Sequence, residues 1–327
     1  MDKHFEVAIA RSVSADRIQK NEIIQELWSG YGQIIRYVTS NPKIPSVIVK
    51  HICYPDNNNH PRGWNTDNSH KRKLNSYEIE TEWYKNWASQ CSSSCRIPRC
   101  LTIEVNKTEM LIVLEDLDTA GFPIRKRSVS MKDIQNCLDW LANFHATFLN
   151  KSPNGLWKNG TYWHLDTRPD ELDALSDRRL KSAAGKIDQC LKNCVFKTIV
   201  HGDAKLANFC FDCSGEKVAM VDFQYVGGGC GMKDIAYFVG SCFGENESEQ
   251  YEQEVLDYYF KVLKMTIEEK HGNIDFTALE KEWREMYYYA WADFHRFLKG
   301  WSPGHWKLNT YSERVVNQII EKLGKNT

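Results

Sequence analysis

The sequence predicts an α+β fold in two parts, a small N-terminal antiparallel sheet with one helix and a larger, mainly helical C-terminal lobe. Three observations carry that reading. As far as about residue 117, short apolar runs alternate with turn residues. From about Ser128 onward, apolar residues recur at the i, i+3, i+4 and i+7 spacing of helices. A chain of 327 residues with 42% hydrophobic content is also long enough for about two lobes with their own cores. The change of periodicity sets the expected boundary, giving lobes over 1–117 and 118–327.

In the first lobe, QIIRYVTSNPKIPSVIVKHI reads as two strands joined through Asn41 and Pro42, and KTEMLIVLEDL as another strand. Between them NSYEIETEWYKNWASQ has helical spacing. Residues 54–74 form a polar segment too long for an ordinary connection, read as a mobile loop or a functional flap. In the second lobe MKDIQNCLDWLANFHATFL, ESEQYEQEVLDYYFKVLKM and FTALEKEWREMYYYAWADFHRFLKG read as amphipathic helices.

Composition excludes several function classes. With 42 Lys and Arg against 43 Asp and Glu, the net charge is −1, so no overall cationic field exists to hold nucleic acid or an anionic bilayer. The N-terminal segment lacks the apolar run of a secretory leader, and no run of about 18 apolar residues is present to span a membrane. A cytoplasmic protein is expected. Eleven cysteines, an odd number without a leader, fit reduced thiols better than a disulfide framework. Cys210 and Cys213 form a C-x-x-C pair, but no second pair completes a zinc site.

The chemistry concentrates in HGDAKLANF at 201–209, followed across a hairpin by VDFQYVGGG. Ser214-Gly215 supplies the turn, which folds Asp222 back toward Asn208. Phosphoryl transfer needs a carboxylate beside the acceptor hydroxyl and hard oxygen ligands for a metal between phosphates. Asp203 fits the base, and Asn208 and Asp222 fit the ligands of Mg2+.

These residues resemble the catalytic loop and metal-binding strand of the protein-kinase-like superfamily, the H-x-D-x-x-x-x-N pattern matching at His201, Asp203 and Asn208. The similarity is greatest to the aminoglycoside phosphotransferase and choline kinase group, in particular its ecdysteroid-kinase-like branch, where DFQ replaces DFG and LEDL and HGD recur. The resemblance runs in order along nearly the whole chain and implies a bilobal, protein-kinase-like fold with ATP and Mg2+ as cofactors. It implies that Gly30 and Gly32 let the backbone approach phosphate, that Lys50 in SVIVK binds phosphate, and that Glu80 orients Lys50, with Glu78 and Glu82 as alternatives. The backbone from Glu115 to Leu117 would meet the adenine edge. Lys205 would offset charge on the transferred group, and His201 and Asp234 would brace the loop. His145 on its apolar helical face reads as a satisfied core histidine.

Two departures from protein kinases matter. Only about eleven residues separate Asp222 from Asp234, too few for the segment that docks a peptide, so a small-molecule hydroxyl acceptor is expected rather than a protein. Gln224 stands where a glycine permits the strand to flip, which favours a permanently assembled site. The acceptor side is assigned to Trp163 and Arg168 in GTYWHLDTRPDEL and to Trp291, Asp293 and His295 within the aromatic helix at 276–300. The competing reading is a nucleotide-binding pseudokinase acting as an interaction protein. A third, transfer of AMP to a protein, has nothing in the sequence asking for it. Lys50, Asp203, Asn208 and Asp222 are all present, which favours the enzyme.

Overall fold

The computed structural model describes residues 3–27, 30–53, 67–106 and 108–325. In chain order the elements are α1 (Lys3–Ser12), β1 (Ile18–Glu26), β2 (Gly32–Thr39), β3 (Ser46–Cys53), α2 (Asp67–Glu82), β4 (Cys100–Val105), β5 (Glu109–Glu115), α3 (Met131–Thr147), α4 (Pro169–Asp173) and α5 (Arg178–Lys192). They continue with β6 (Thr198–Val200), β7 (Phe209–Phe211), β8 (Val218–Met220), β9 (Gly227–Gly229), α6 (Met232–Cys242), α7 (Glu245–Lys270), α8 (Phe276–Trp301) and α9 (Thr310–Lys325). Two compact units result: Met1–Ser89, Ile97–Arg125 and Cys210–Val221 form one, and Gln90–Arg96, Lys126–Phe209 and Asp222–Thr327 the other. The α+β class holds, with a five-stranded antiparallel sheet in the N-terminal part and a mainly helical C-terminal part.

In the first unit the strand order is β1-β2-β3-β5-β4. Side chains alternate across a strand, so Val47 and Val49 of β3 share one face, where they pack with Phe5 and Ile9 of α1, with Val13 just after it, and with Leu111 and Val113 of β5. Lys50 faces the other way. As a central strand β3 is buried on both faces, which explains why it reads as a near-continuous apolar run. By contrast β1 is an exposed edge strand with register shifts at Lys20/Glu22 and Ile23/Gln25, features that keep an edge from pairing further. α1, β1 and β4 carry no strong pattern and extend the expected sheet and helix. Residues 67–74 of the polar segment are the first turns of α2, where the polar side chains at 68–73 stay at least partly exposed; 54–66, and Trp28 and Ser29 of the glycine-containing turn, lie outside the described residues.

The second unit is organised around α8, which packs against α4, α5, α6 and α9, while α3 packs on α7. α3 starts at a capping box in which Ser130 and Asp133 satisfy each other's backbone N–H groups, and α5 and α8 are N-capped by Asp177 and Asp275. The short pair β6 and β9 is antiparallel and delivers the chain to His201. All eleven cysteines are free. Among the described residues no helix is long and apolar enough to cross a membrane.

Gly32 illustrates how tightly β2 and β3 meet. Its φ is +125°, and a Cβ there would lie 2.0 Å from the His51 carbonyl oxygen. Gly32→Ala is therefore expected to destabilise the protein by more than about 1 kcal/mol, read as a lower urea midpoint.

Candidate active site

The loop from His201 to Asn208 is held from beneath by Asp234 of α6. This carboxylate, fully buried, accepts the His201 N–H at 2.6 Å and the Gly202 N–H at 2.9 Å. It also accepts from His145 Nε2 at 3.1 Å, while His145 Nδ1 meets the Tyr259 hydroxyl at 2.8 Å. Because a carboxylate only accepts, His145 carries its hydrogen on Nε2 and takes one from Tyr259. His145 is thus a bonded core histidine that helps fix Asp234. His201 turns its Nδ1 back to accept the Asp203 N–H at 3.2 Å.

Gly202 makes the turn possible. Its φ is +82°, and a Cβ would fall 2.1 Å from the Tyr225 carbonyl oxygen, so no other residue fits between His201 and Asp203. Beyond it, Lys205 Nζ lies 2.8 Å from Asp203 Oδ2. Asn208 Nδ2 donates to the Asp203 carbonyl at 2.8 Å and to Oδ2 at 3.1 Å. The other carboxylate oxygen, Asp203 Oδ1, is enclosed with no hydrogen-bond partner. Asp222 has φ +72°, a left-handed conformation that costs on the order of 1–3 kcal/mol outside glycine, and Gln224 Nε2 donates to its Oδ1 at 2.8 Å. Burial lowers the Lys205 pKa, but the Asp203 and Asp222 carboxylates outweigh it and hold the ammonium well above its ordinary value. Asp203, Lys205, Asn208 and Asp222 are therefore brought together in one unit.

In the first unit Lys50 Nζ and Glu80 Oε2 form a buried ion pair at 2.6 Å, with Lys50 5.7 Å from the Tyr77 ring centroid. Of the three candidate glutamates only Glu80 makes this pair, since Glu78 is exposed and Glu82 accepts from Asn86. Gly30 has φ +76° with open space around it, whereas Gly32 is demanded by strand packing. Glu115 accepts from the Arg99 backbone and guanidinium, and Leu117 packs with Cys210 and Ala219.

The ecdysteroid kinase-like family model matches residues 41–152 and 163–271. The chain belongs to this family. No curated protein matches it. Its fold is similar to that of solved small-molecule kinases. The amicoumacin kinase hAmiN in complex with AMP-PNP, Ca2+ and Ami aligns at 12% identity and TM-score 0.53 over 100% of this chain and 94% of the other. Choline kinase from Cryptosporidium parvum Iowa II aligns at 11% identity and TM-score 0.53 over 99% and 96%. The microcompartment-associated aminopropanol kinase aligns at 13% and 0.51 over 98% and 94%.

In this ecdysteroid kinase-like chain the segment at 160–172 is bonded directly to Gly202 and Tyr225. Thr161 N–H donates to the Tyr225 carbonyl at 3.1 Å and Tyr162 N–H to the Gly202 carbonyl at 3.2 Å. Arg168 fixes the same segment, donating from Nε to the Tyr162 carbonyl at 2.6 Å and from Nη1 to Glu171 at 2.8 Å. Trp163 is fully buried against Tyr237 and Phe294. Trp291 packs on Tyr311, and Asp293 accepts from Arg296, whose Nη2 also donates to the Trp163 carbonyl. His295 is 1% exposed beside Glu313. Trp163, Trp291, Asp293 and His295 thus share the interior of the helical unit. The side chains that do border Asp203 include two that sequence spacing did not single out, Tyr162 and Tyr237. Burial first, and then the Asp203 charge, raises the pKa of Tyr162; burial, Tyr162 and Asp203 together raise that of Tyr237.

Removing one partner of the Lys50–Glu80 pair leaves a buried charge uncompensated. Glu80→Ala is expected to cost about 3–5 kcal/mol, and the Lys50→Met/Glu80→Met double variant to recover much of that, measured by urea denaturation. A second test concerns pH. Burial lowers the pKa of His295 to about 4 and of His164 to about 3. Below the ordinary value of about 6.5 the unfolded chain takes up protons that the folded one does not, so stability falls as pH drops from there toward 4. His295→Gln should flatten that slope in unfolding midpoints compared at neutral and mildly acidic pH.

Proposed function

We propose that this protein transfers the γ-phosphoryl group of ATP to a hydroxyl of a small molecule, with Asp203 as the base. The observation that carries this reading is the uneven state of the Asp203 carboxylate. Lys205 and Asn208 hold Oδ2, while Oδ1 is enclosed and makes no close hydrogen bond among the described residues, with the Tyr237 hydroxyl beside the carboxylate. A buried carboxylate oxygen lacking a partner is costly unless a group arrives to donate to it, and an acceptor hydroxyl is such a group. The acceptor proton passes to Asp203 as the new oxygen–phosphorus bond forms and the bond to the β-phosphate bridging oxygen breaks, releasing ADP. Lys205 stays charged throughout, a fixed cation beside the developing negative charge.

The residues fit a divalent cation. Asn208 commits its amide nitrogen to Asp203, so its carbonyl oxygen is the atom left for a metal, and Asp222 adds a carboxylate. Two hard oxygen donors suit Mg2+, which usually keeps water and substrate phosphate in its remaining positions. When bound, the ion neutralises charge on the phosphates. The buried Lys50, oriented by Glu80, is assigned to the nucleotide phosphates, and the backbone of Glu115 to Leu117 to the base. The free thiols fit a reducing, cytoplasmic setting.

Mg-ATP is expected to raise the thermal midpoint, and Asp203→Asn to keep that shift while lowering ADP release in the presence of an acceptor by about 10²–10⁴-fold. Wild-type turnover in Asp203→Asn rules out the base assignment. Stabilisation by nucleotide with no turnover of any alcohol favours the pseudokinase reading.

A further inference from the structure

Lys307, in the connection between α8 and α9, has an environment unlike that of any lysine assigned above. Its Nζ lies 5.0 Å from the ring centroid of Tyr237, 5.6 Å from that of Phe294 and 5.4 Å from that of Trp306. Among the described residues no carboxylate forms an ion pair with it, yet the side chain is only partly exposed. The loop that carries it is well tied. His305 Nδ1 accepts the Lys307 N–H at 3.2 Å, and Ser312 Oγ donates to the Lys307 carbonyl at 3.1 Å. Trp306 beside it is 61% exposed, one of few large apolar side chains on the surface. Tyr237 links the group to the catalytic loop, since its hydroxyl senses the Asp203 charge. Burial brings the Lys307 pKa down to about 8, with Cys242 and Asp203 pulling the other way and Lys205 adding to the fall.

An aromatic box of this kind attracts cations. Here the protein fills it with its own ammonium. A second positive charge entering beside Lys307 and Lys205 would meet two like charges in surroundings that screen poorly. A carboxylate, carbonyl or other oxygen acceptor would instead find a donor that lacks a partner, next to an exposed indole for apolar contact.

We propose that Lys307 is a specificity residue of the acceptor site, contacting the acceptor directly and selecting alcohols that carry a neutral or anionic group over those that carry a fixed positive charge. This deepens the phosphotransfer reading and stands on it, because the selected molecule is the one whose hydroxyl reaches Asp203.

The test uses the full-length protein, Lys307→Met and Lys307→Arg, with Mg-ATP and matched alcohols that differ only in charge. One set is choline against its uncharged carbon isostere dimethylbutanol. The other is hydroxyphenyl alcohols bearing an ammonium, a hydroxyl or a carboxylate. Stabilisation by Mg-ATP shows that each variant is folded, and ADP release gives kcat and KM. Wild type is expected to favour the neutral or carboxylate member by about tenfold or more in kcat/KM, a difference of about 1.4 kcal/mol. Lys307→Met should lose most of that preference, chiefly through KM, and Lys307→Arg should keep it. A wild-type preference for the cationic members, or a preference unchanged in Lys307→Met, overturns the role of Lys307 and leaves phosphotransfer standing. Failure of every alcohol with wild type, despite stabilisation by Mg-ATP, overturns phosphotransfer and the specificity role with it.

Discussion

The site depends on one buried carboxylate. Asp234 has no solvent to turn to, and a buried charge is tolerated only where donors surround it. Two of its donors are consecutive backbone N–H groups, those of His201 and Gly202, and a third is the His145 imidazole, itself fixed by Tyr259. Meeting that demand sets the direction of the chain at the turn where Gly202 adopts φ +82°. Asp203 follows immediately, so where it enters the loop is set by how Asp234 is satisfied, and its contacts with His201, Lys205 and Asn208 then fix its backbone and carboxylate. The energetic requirement sits one layer below the chemistry.

Above that layer the charges are unevenly matched. Lys205 and Lys307 both sense Asp203, yet their ionisation moves in opposite directions. Lys205 has the carboxylate at ion-pair distance and the charge of Asp222 in addition, which overcomes burial. Lys307 has ring faces and, among the described residues, no carboxylate at ion-pair distance, so burial prevails. One ammonium is therefore held firmly in its charged form as part of the loop, while burial brings the pKa of the other down to about 8. Strain is stored in the same region, at Asp222 with φ +72° and at Thr161 with φ +103°, positions that persist only because surrounding hydrogen bonds over-determine them.

Legibility in the sequence followed pattern strength. β2, β3 and β5 were readable because strand alternation or a doubly buried apolar run marks them, and α3, α7 and α8 because 3.6-residue spacing persists over many turns. β1 was not, since an exposed edge strand of sequence IQKNEIIQE buries neither face, and the start of α2 is polar on its exposed side. His201, Asp203 and Asn208 of the loop, with Asp222 across the hairpin, stand at a spacing that is plain in the sequence. The residues expected on the acceptor side carry no such signal, because spacing does not tell which atoms of a polar residue packing will pair and which it will leave enclosed. Asp293 gives one oxygen to Arg296 three residues on, a helical i,i+3 pair that the sequence does contain, while its other oxygen is enclosed without a hydrogen bond. Lys307 had no such signal; a single lysine in a Trp-Lys-Leu stretch acquires meaning only when packing brings Tyr237 and Phe294 under it.

The most direct measurement is a crystal structure of the protein with AMP-PNP and Mn2+, using anomalous scattering to locate the ion. The account expects the manganese peak at the carbonyl oxygen of Asn208 and the carboxylate of Asp222, with the Asp203 carboxylate turned toward the γ-phosphate. A peak bound by other residues, or nucleotide held with Asp203 facing away from its phosphates, would contradict it.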